Sequence, residues 1–153
     1  FEVDPSNSIE ELNESNNILT LDLFIDGIPD LEPVLISKKR TKENPNSVFF
    51  KYKIKNNGNI FVENFDYDMD FGDGTGQGGF VAEKINPGEY YSFNINKVYN
   101  SSGVYNVTLE VDSFDAIIEL NESNNIVETS IYIPCDLSGN STGIKRCDVQ
   151  RIW

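Results

Sequence analysis

The chain has 153 residues, with 25 acidic against 12 basic side chains, a net charge of −13 and no histidine. That length allows one domain with a proper core and some attached segments, and not comfortably two. The charge repels phosphate backbones and anionic membrane surfaces, which argues against a nucleic-acid partner. The missing imidazole removes Ser/His/Asp and Cys/His nucleophiles and every histidine metal site.

Residues 1–26 open with FEVD, a strand stub, followed by a polar loop and then ILTLDLFI, which alternates with period two. This is a hairpin without a sheet of its own, expected to be the closing hairpin of a preceding repeat or a donor strand. Leu19, Leu21, Leu23 and Ile25 share its apolar face. Asp26 to Asp30 form a linker broken by Gly27 and Pro29. LEPVLIS from Leu31 is the first strand of the next unit, with Pro33 pointing to a sheet edge. Ser37 to Asn46 reads as a loop.

In SVFFKYKIKN, Val48, Phe50, Tyr52 and Ile54 share one face while Lys51, Lys53 and Lys55 share the other, most simply a solvated one. FDYDMDF turns Phe65, Tyr67, Met69 and Phe71 inward and Asp66, Asp68 and Asp70 outward. GDGTGQGG reads as a glycine-rich loop and FVAEK as a short strand. YYSFNINKV, VYNVTLEVD and NIVETSIYI complete the set, with Tyr105 placed for a tyrosine corner. Seven short strands with no helical periodicity predict an all-β, immunoglobulin-like two-sheet sandwich over residues 28–134. Residues 135–153 carry Cys135 and Cys147, expected to close a Gly- and Ser-rich tail as a disulfide in an oxidising, extracellular setting.

One sentence of this sequence is written twice. At an offset of 108 residues, Val111, Asp112, Ile117, Glu119, Leu120 and Asn121 to Ile126 repeat Val3, Asp4, Ile9, Glu11, Leu12 and Asn13 to Ile18. A period of that size predicts tandem modules, with one whole module preceded by the closing end of another.

VDSFDAIIELNESNN after GVYNVTLE, together with FKYKIKNNGN and NPGEYYSF, resembles the CARDB module, a cell-adhesion-related domain of bacterial and archaeal surface proteins, over residues 30–133. DFGDGTG with VYNSSGVYNVTLEV is similar to the PKD domain, another immunoglobulin-like sandwich of surface proteins. Both resemblances imply a non-catalytic spacer or adhesive module, commonly in tandem, with no catalytic residues to carry over.

Asp112, Asp115, Glu119, Asn121, Glu122 and Asn124 gather carboxylates and amide oxygens in one loop. Calcium, which takes about six to eight oxygen ligands, is the candidate cofactor there. The other reading is that these side chains cap their own backbone turns and hold the loop shut. The copy at Asp4, Glu11, Asn13, Glu14, Asn16 and Asn17 is expected to behave likewise, with Asn7 in place of Asp115. Asp68, Asp70 and Asp73 imitate the start of an EF-hand loop, but Gly72, Asp73 and Gly79 fall on the wrong positions, so a tight glycine turn is the better reading. Asp66, Asp68 and Asp70 beside Asn106, Thr108 and Glu110 would form one acidic sheet face, able to bind cations or a basic partner, or simply solvated. Sequons stand at Asn13, Asn100, Asn106, Asn121 and Asn140.

These readings converge on a structural or adhesive module of an extracellular surface protein or filament, partnered by copies of itself or neighbouring repeats through β-edge pairing. The alternative is a carbohydrate-binding sandwich, with Tyr90 and Trp153 as exposed aromatics and glycans as partners. A carboxylate-pair glycoside hydrolase would need a cleft that so small a sandwich does not offer. No apolar run is long enough to span a membrane, so no direct insertion is expected, and any targeting or anchoring segment is expected outside this chain.

Overall fold

The structure, a computed structural model, describes residues 2–6, 8–18, 20 and 27–135. Its strands are β1 (Leu31–Arg40), β2 (Ser47–Asn56), β3 (Phe65–Asp70), β4 (Gly76–Val81), β5 (Tyr90–Val98), β6 (Gly103–Val111) and β7 (Ile126–Ile133). They form two antiparallel sheets, β1-β2-β5 and β4-β3-β6-β7. This is the expected two-sheet sandwich, and its third and sixth strands pair as expected, Asp68 opposite Glu110 and Asp70 opposite Thr108. β1 lies at a sheet edge, where Pro33 withholds no ladder donor from a neighbour.

Period-two alternation sets the core. Val48, Phe50, Tyr52 and Ile54 on β2 are fully buried and face Met69, Val107 and Leu109 from the other sheet. Each of the aliphatic, Phe and Met side chains contributes about 1.5–3 kcal/mol by leaving water. Tyr52 also buries a hydroxyl without a hydrogen-bond partner, which offsets part of its gain. Phe93 ties the layers together: its ring stacks on Tyr52, Tyr67 and Tyr91 at centroid distances of 5.8, 4.8 and 5.8 Å. A second apolar cluster at one end of the sandwich joins Leu31, Ile54, Val62, Phe65, Val81 and Val111, and Ile117 packs onto it. The tyrosine corner forms, the Tyr105 hydroxyl donating to the Ser101 carbonyl at 2.9 Å.

Two elements differ from their sequence reading. β1 runs on to Arg40 through residues expected in a loop, because a bulge between Leu35 and Ser37 shifts the register and lets pairing continue. Beyond the bulge Lys38 reaches β7, where its Nζ donates to Thr129 Oγ1 and to the Ser130 carbonyl, both at 2.6 Å. The fourth strand is GQGGFV rather than FVAEK, so half of the glycine-rich stretch is strand. Glycine is tolerated there because Tyr67, paired with Gly79, lays its ring where a side chain would stand: a Cβ on Gly79 would lie 2.4 Å from the ring.

The turn between β3 and β4 follows the glycine reading. Asp70 Oδ1 accepts from Gly72 N at 2.7 Å, and Asp73 Oδ1 accepts from Thr75 N and Oγ1 at 3.1 and 2.6 Å. Asp73 also pairs with Lys97 at 2.8 Å, which together with these bonds holds its carboxyl below the ordinary range. Gly72 and Gly74 both have positive φ, +74° and +80°, but only at Gly72 would a Cβ meet backbone, 2.2 Å from the Asn106 carbonyl oxygen. Gly74→Ala should therefore cost about 1–2 kcal/mol, the left-handed backbone penalty alone. Gly72→Ala should cost more than about 3 kcal/mol, because the clash adds to it. Urea denaturation of the two variants measures the difference, and equal losses would remove the clash from the account.

Candidate functional site at the Asp–Asn loop

The loop from Asp112 to Asn125 joins β6 to β7 and crosses the end of the sandwich where β1 begins. Asp112 opens it in a left-handed conformation, φ +51°, with its N–H donating to the Asp66 carbonyl at 2.9 Å. Its two carboxylate oxygens accept from Ala116 N and Ile117 N at 3.2 and 2.9 Å. Asp115, φ +52°, donates its N–H to the Asp112 carbonyl at 2.9 Å. Asn121 Oδ1 accepts from Ser123 N and Oγ at 3.2 and 2.6 Å, and Glu122 Oε1 accepts from Glu119 N at 2.8 Å. These are the loop-closing bonds that Asx-type side chains make with nearby backbone.

Glu119 is different, because it is 7% exposed and its bonds are not local. One carboxylate oxygen takes the N–H of Leu31, the first residue of β1, and the other accepts from Asn125 Nδ2 at 3.0 Å. Burial is the main cause that pushes its pKa from 4.5 up to about 7, against the lowering effect of those two donors. The neighbouring Asn124 reaches the linker, its Nδ2 donating to Asp30 Oδ1 at 2.9 Å, while Leu120 N donates to the Pro29 carbonyl at 2.9 Å.

All six candidate metal ligands thus lie on one loop; the side chains of Asp112, Asn121 and Glu122 are engaged by its backbone, and those of Glu119 and Asn124 by residues at its base. Among the described residues no group of three or more acidic, cysteine or histidine side chains gathers closely enough to hold a metal ion. Beside them lies a cleft of about 300 Å³, lined by Glu110, Asp112, Asp115, Glu122 and Asn125 among others. The side-chain oxygens of Asn124 and Asn125 are buried without a hydrogen-bond partner.

The first copy of the loop is built in the same way. Asp4, φ +48°, accepts from Ser8 N and Ile9 N at 3.0 and 2.8 Å, as Asp112 does four and five residues ahead. Those bonds, with the Ser8 hydroxyl, hold its carboxyl below the ordinary range. Asn13 Oδ1 accepts from Ser15 N and Oγ at 3.0 and 2.6 Å. Val3 N donates to the Asn17 carbonyl at 2.9 Å and Val111 N to that of Asn125 at 2.9 Å. Glu2 and Ile18 bridge as Glu110 and Ile126 pair. What differs is the surroundings: Val111 is fully buried, whereas Val3 is 52% exposed and Ile9 62%. The rest of the hairpin, residues 19 and 21–26, lies outside the described residues apart from Thr20.

The residue that sequence reasoning missed is Asn56, which is fully buried. Its Nδ2 donates to the Ile60 and Ile85 carbonyls at 2.7 and 3.0 Å, and its Oδ1 accepts from Gly58 N and Asp30 N at 3.0 and 3.3 Å. The signal was there in the parity of β2, because position 56 continues the inward series 48, 50, 52 and 54. Of the other candidates, Asn13, Asn100, Asn106 and Asn121 are exposed, and Asn140 lies outside the described residues. Cys147 and Trp153 also lie outside them. Tyr90 is 55% exposed, but Lys53 Nζ sits 3.4 Å from its ring centroid.

Because the folded pKa of Glu119 lies above its ordinary value, the folded state binds the extra proton between pH 4.5 and about 7. The group's contribution to stability is therefore greatest at low pH and declines as pH rises through that window. Glu119→Gln should flatten the decline, since a turned Asn125 can offer its unpartnered oxygen to the new amide. Denaturation midpoints of both proteins across that pH range check this, and parallel curves would contradict it.

Comparison with known proteins places this geometry. Residues 28–129 match the CARDB family model. Among curated proteins nothing matches the chain. A crystal structure of the CARDB domain of a Pyrococcus furiosus protein, in complex with di-metal ions, superposes with a TM-score of 0.61 at 21% identity, covering 71% of this chain and 96% of that one. At that identity the likeness speaks for the fold. The solution structure of a domain, residues 272–376, of a Methanosarcina acetivorans protein described as a cell surface protein superposes with a TM-score of 0.56 at 25% identity, covering 74% of this chain and 98% of that one. With a family model spanning the whole described sandwich but its last strand's end, the chain belongs to the CARDB family.

Proposed function

We propose that this chain is a non-catalytic structural and adhesive module of an extracellular surface protein or filament, joined to its neighbours through β-edges. The observation that carries this reading is the loop built twice. In the second copy the core positions are covered by the sandwich, and in the first, Val3 and Ile9 stand exposed and need a neighbour to cover them. The Methanosarcina acetivorans domain, from a protein described as a cell surface protein, supports the location.

The edges are not equivalent. Lys38 occupies a β7 carbonyl and a bulge interrupts β1, two devices that discourage edge pairing. Pairing therefore falls to β4 and β5 on the opposite flank. Removing residues 1–26 should leave residues 28–134 folded and reduce self-association measured by sedimentation. A 153-residue chain that stays monomeric at high concentration, with residues 2–18 protected from hydrogen exchange, would defeat edge pairing between molecules.

A second reading, calcium binding at the Asp112–Asn125 loop, is favoured by the carboxylate-lined cleft and by the buried, unpartnered Asn125 oxygen beside it. The Pyrococcus furiosus domain in complex with di-metal ions supports it. Asp112, Asp115, Glu119, Asn121, Glu122 and Asn124 would supply the oxygens after the loop rearranges, since as placed no three acidic side chains among the described residues gather closely enough, and the ion's charge would neutralise theirs. Calcium that binds only the folded chain should raise the melting temperature, chelator should reverse the rise, and Asp112→Asn with Glu119→Gln should blunt the response. An unchanged melt in calcium and chelator would leave the loop as a hydrogen-bonded closure alone.

A further inference from the structure

The two outer faces of the sandwich carry opposite charge, and on each the charge runs in a row along one strand. On β2, Lys51, Lys53 and Lys55 point away from the core, and Lys39 on β1 joins them opposite outward Phe49. Glu32, paired with Lys55, is the acid at the outward positions of that sheet, and it already accepts from Asn57 Nδ2 at 2.7 Å. On the other sheet, β3 presents Asp66, Asp68 and Asp70. Glu110 stands directly across from Asp68, and Glu128 lies opposite Thr108 on β7. The outward positions of this sheet hold no lysine or arginine.

Among the described residues neither row is neutralised. Among the described residues the ion pair is Lys97 with Asp73, at the β3–β4 turn and not on either face. Like charges directly opposite each other weaken a ladder, so Asp68 beside Glu110 is a standing penalty with no counter-charge paired to it among the described residues. The rows also share a spacing. Alternate residues of a strand lie about 6.6–6.8 Å apart, so three lysines on β2 match three aspartates on β3 when two sheets lie face to face with strands aligned.

We infer that a second copy of this chain stacks on the first, with its basic β1-β2-β5 face against the acidic β4-β3-β6-β7 face. The contact joins unlike surfaces, so each copy keeps one face of each sign and the stack extends rather than closing as a dimer. This deepens the assembly reading above and rests on it, but the direction differs, since stacking proceeds through the sheets and edge pairing proceeds alongside them. Exposed ion pairs are individually weak and screened by salt, so a single contact is transient and tandem repetition strengthens it.

The test uses the 153-residue chain at high concentration in about 20 mM and about 300 mM salt, where the screening length differs several-fold. Mean mass by light scattering should rise at low salt and return to the monomer at high salt. K51E/K53E/K55E and D68K/E110K, each checked for folding by circular dichroism, should stay monomeric alone. Mixed in equal amounts they should associate again, the unaltered acidic face of the first against the unaltered basic face of the second. Neutral glutamine or asparagine replacements at the same positions should limit that association to one-to-one pairs, because each then retains one charged face. Glutamine replacements at the same positions serve where a reversal unfolds the chain. Wild-type chain that is monomeric at low salt, variants that still associate alone, or a mixture that does not pair overturns the stacking. Association that survives both variants but is lost on removing residues 1–26 leaves edge pairing standing without it.

Discussion

A buried amide with every polar atom engaged fixes the end of this sandwich. Asn56 sits where water cannot reach, and two donors and an acceptor in that position are tolerable only if all find partners. They do, in three different segments: the linker before β1, the turn after β2, and the stretch before β5. Its own N–H and carbonyl bind Glu89 and Gly88, drawing in the same stretch again. The position of β1 relative to β2 is thereby set before any side chain of the Asp–Asn loop is considered. Glu119 then closes the arrangement from above by holding the first N–H of β1.

Seen from that fixed end, the Asp–Asn loop is a lid whose acids have two duties. Asp112 and Asn121 shape it locally through Ala116, Ile117 and Ser123, and Asp4 and Asn13 do the same in the first copy through Ser8, Ile9 and Ser15, at bond lengths that agree within a few tenths of an ångström. Glu119, Leu120 and Asn124 instead anchor it to the linker and to β1. A carboxylate doing the second job must be buried, and its raised pKa is the physical signature of that burial.

Alternation carried most of the fold into the sequence. The parity of β2, β3 and β6 named the core residues, and the position of Tyr105 named its corner bond. β4 was hidden because glycine has low strand propensity and the ring that compensates belongs to Tyr67 on another strand. The bulge in β1 was hidden because a period-two pattern cannot show where the period slips. At the site, local caps could be read from Asp and Asn spacing, whereas the bond from Leu31 to Glu119 joins residues 88 apart and leaves no local trace.

The linker enters at the end pinned by Asn56, next to Leu31, and β7 leaves toward the opposite end at Ile133, which pairs with the start of β6. β1 is bonded along its length to β2, and β7 to β6. A pull on the chain through these two exits would run parallel to the strands, so it would strain the rungs of both terminal ladders together instead of peeling them one by one. The same topology that buries the core therefore gives a tether that resists tension, with Asn56 and Glu119 at the point where load first enters the fold.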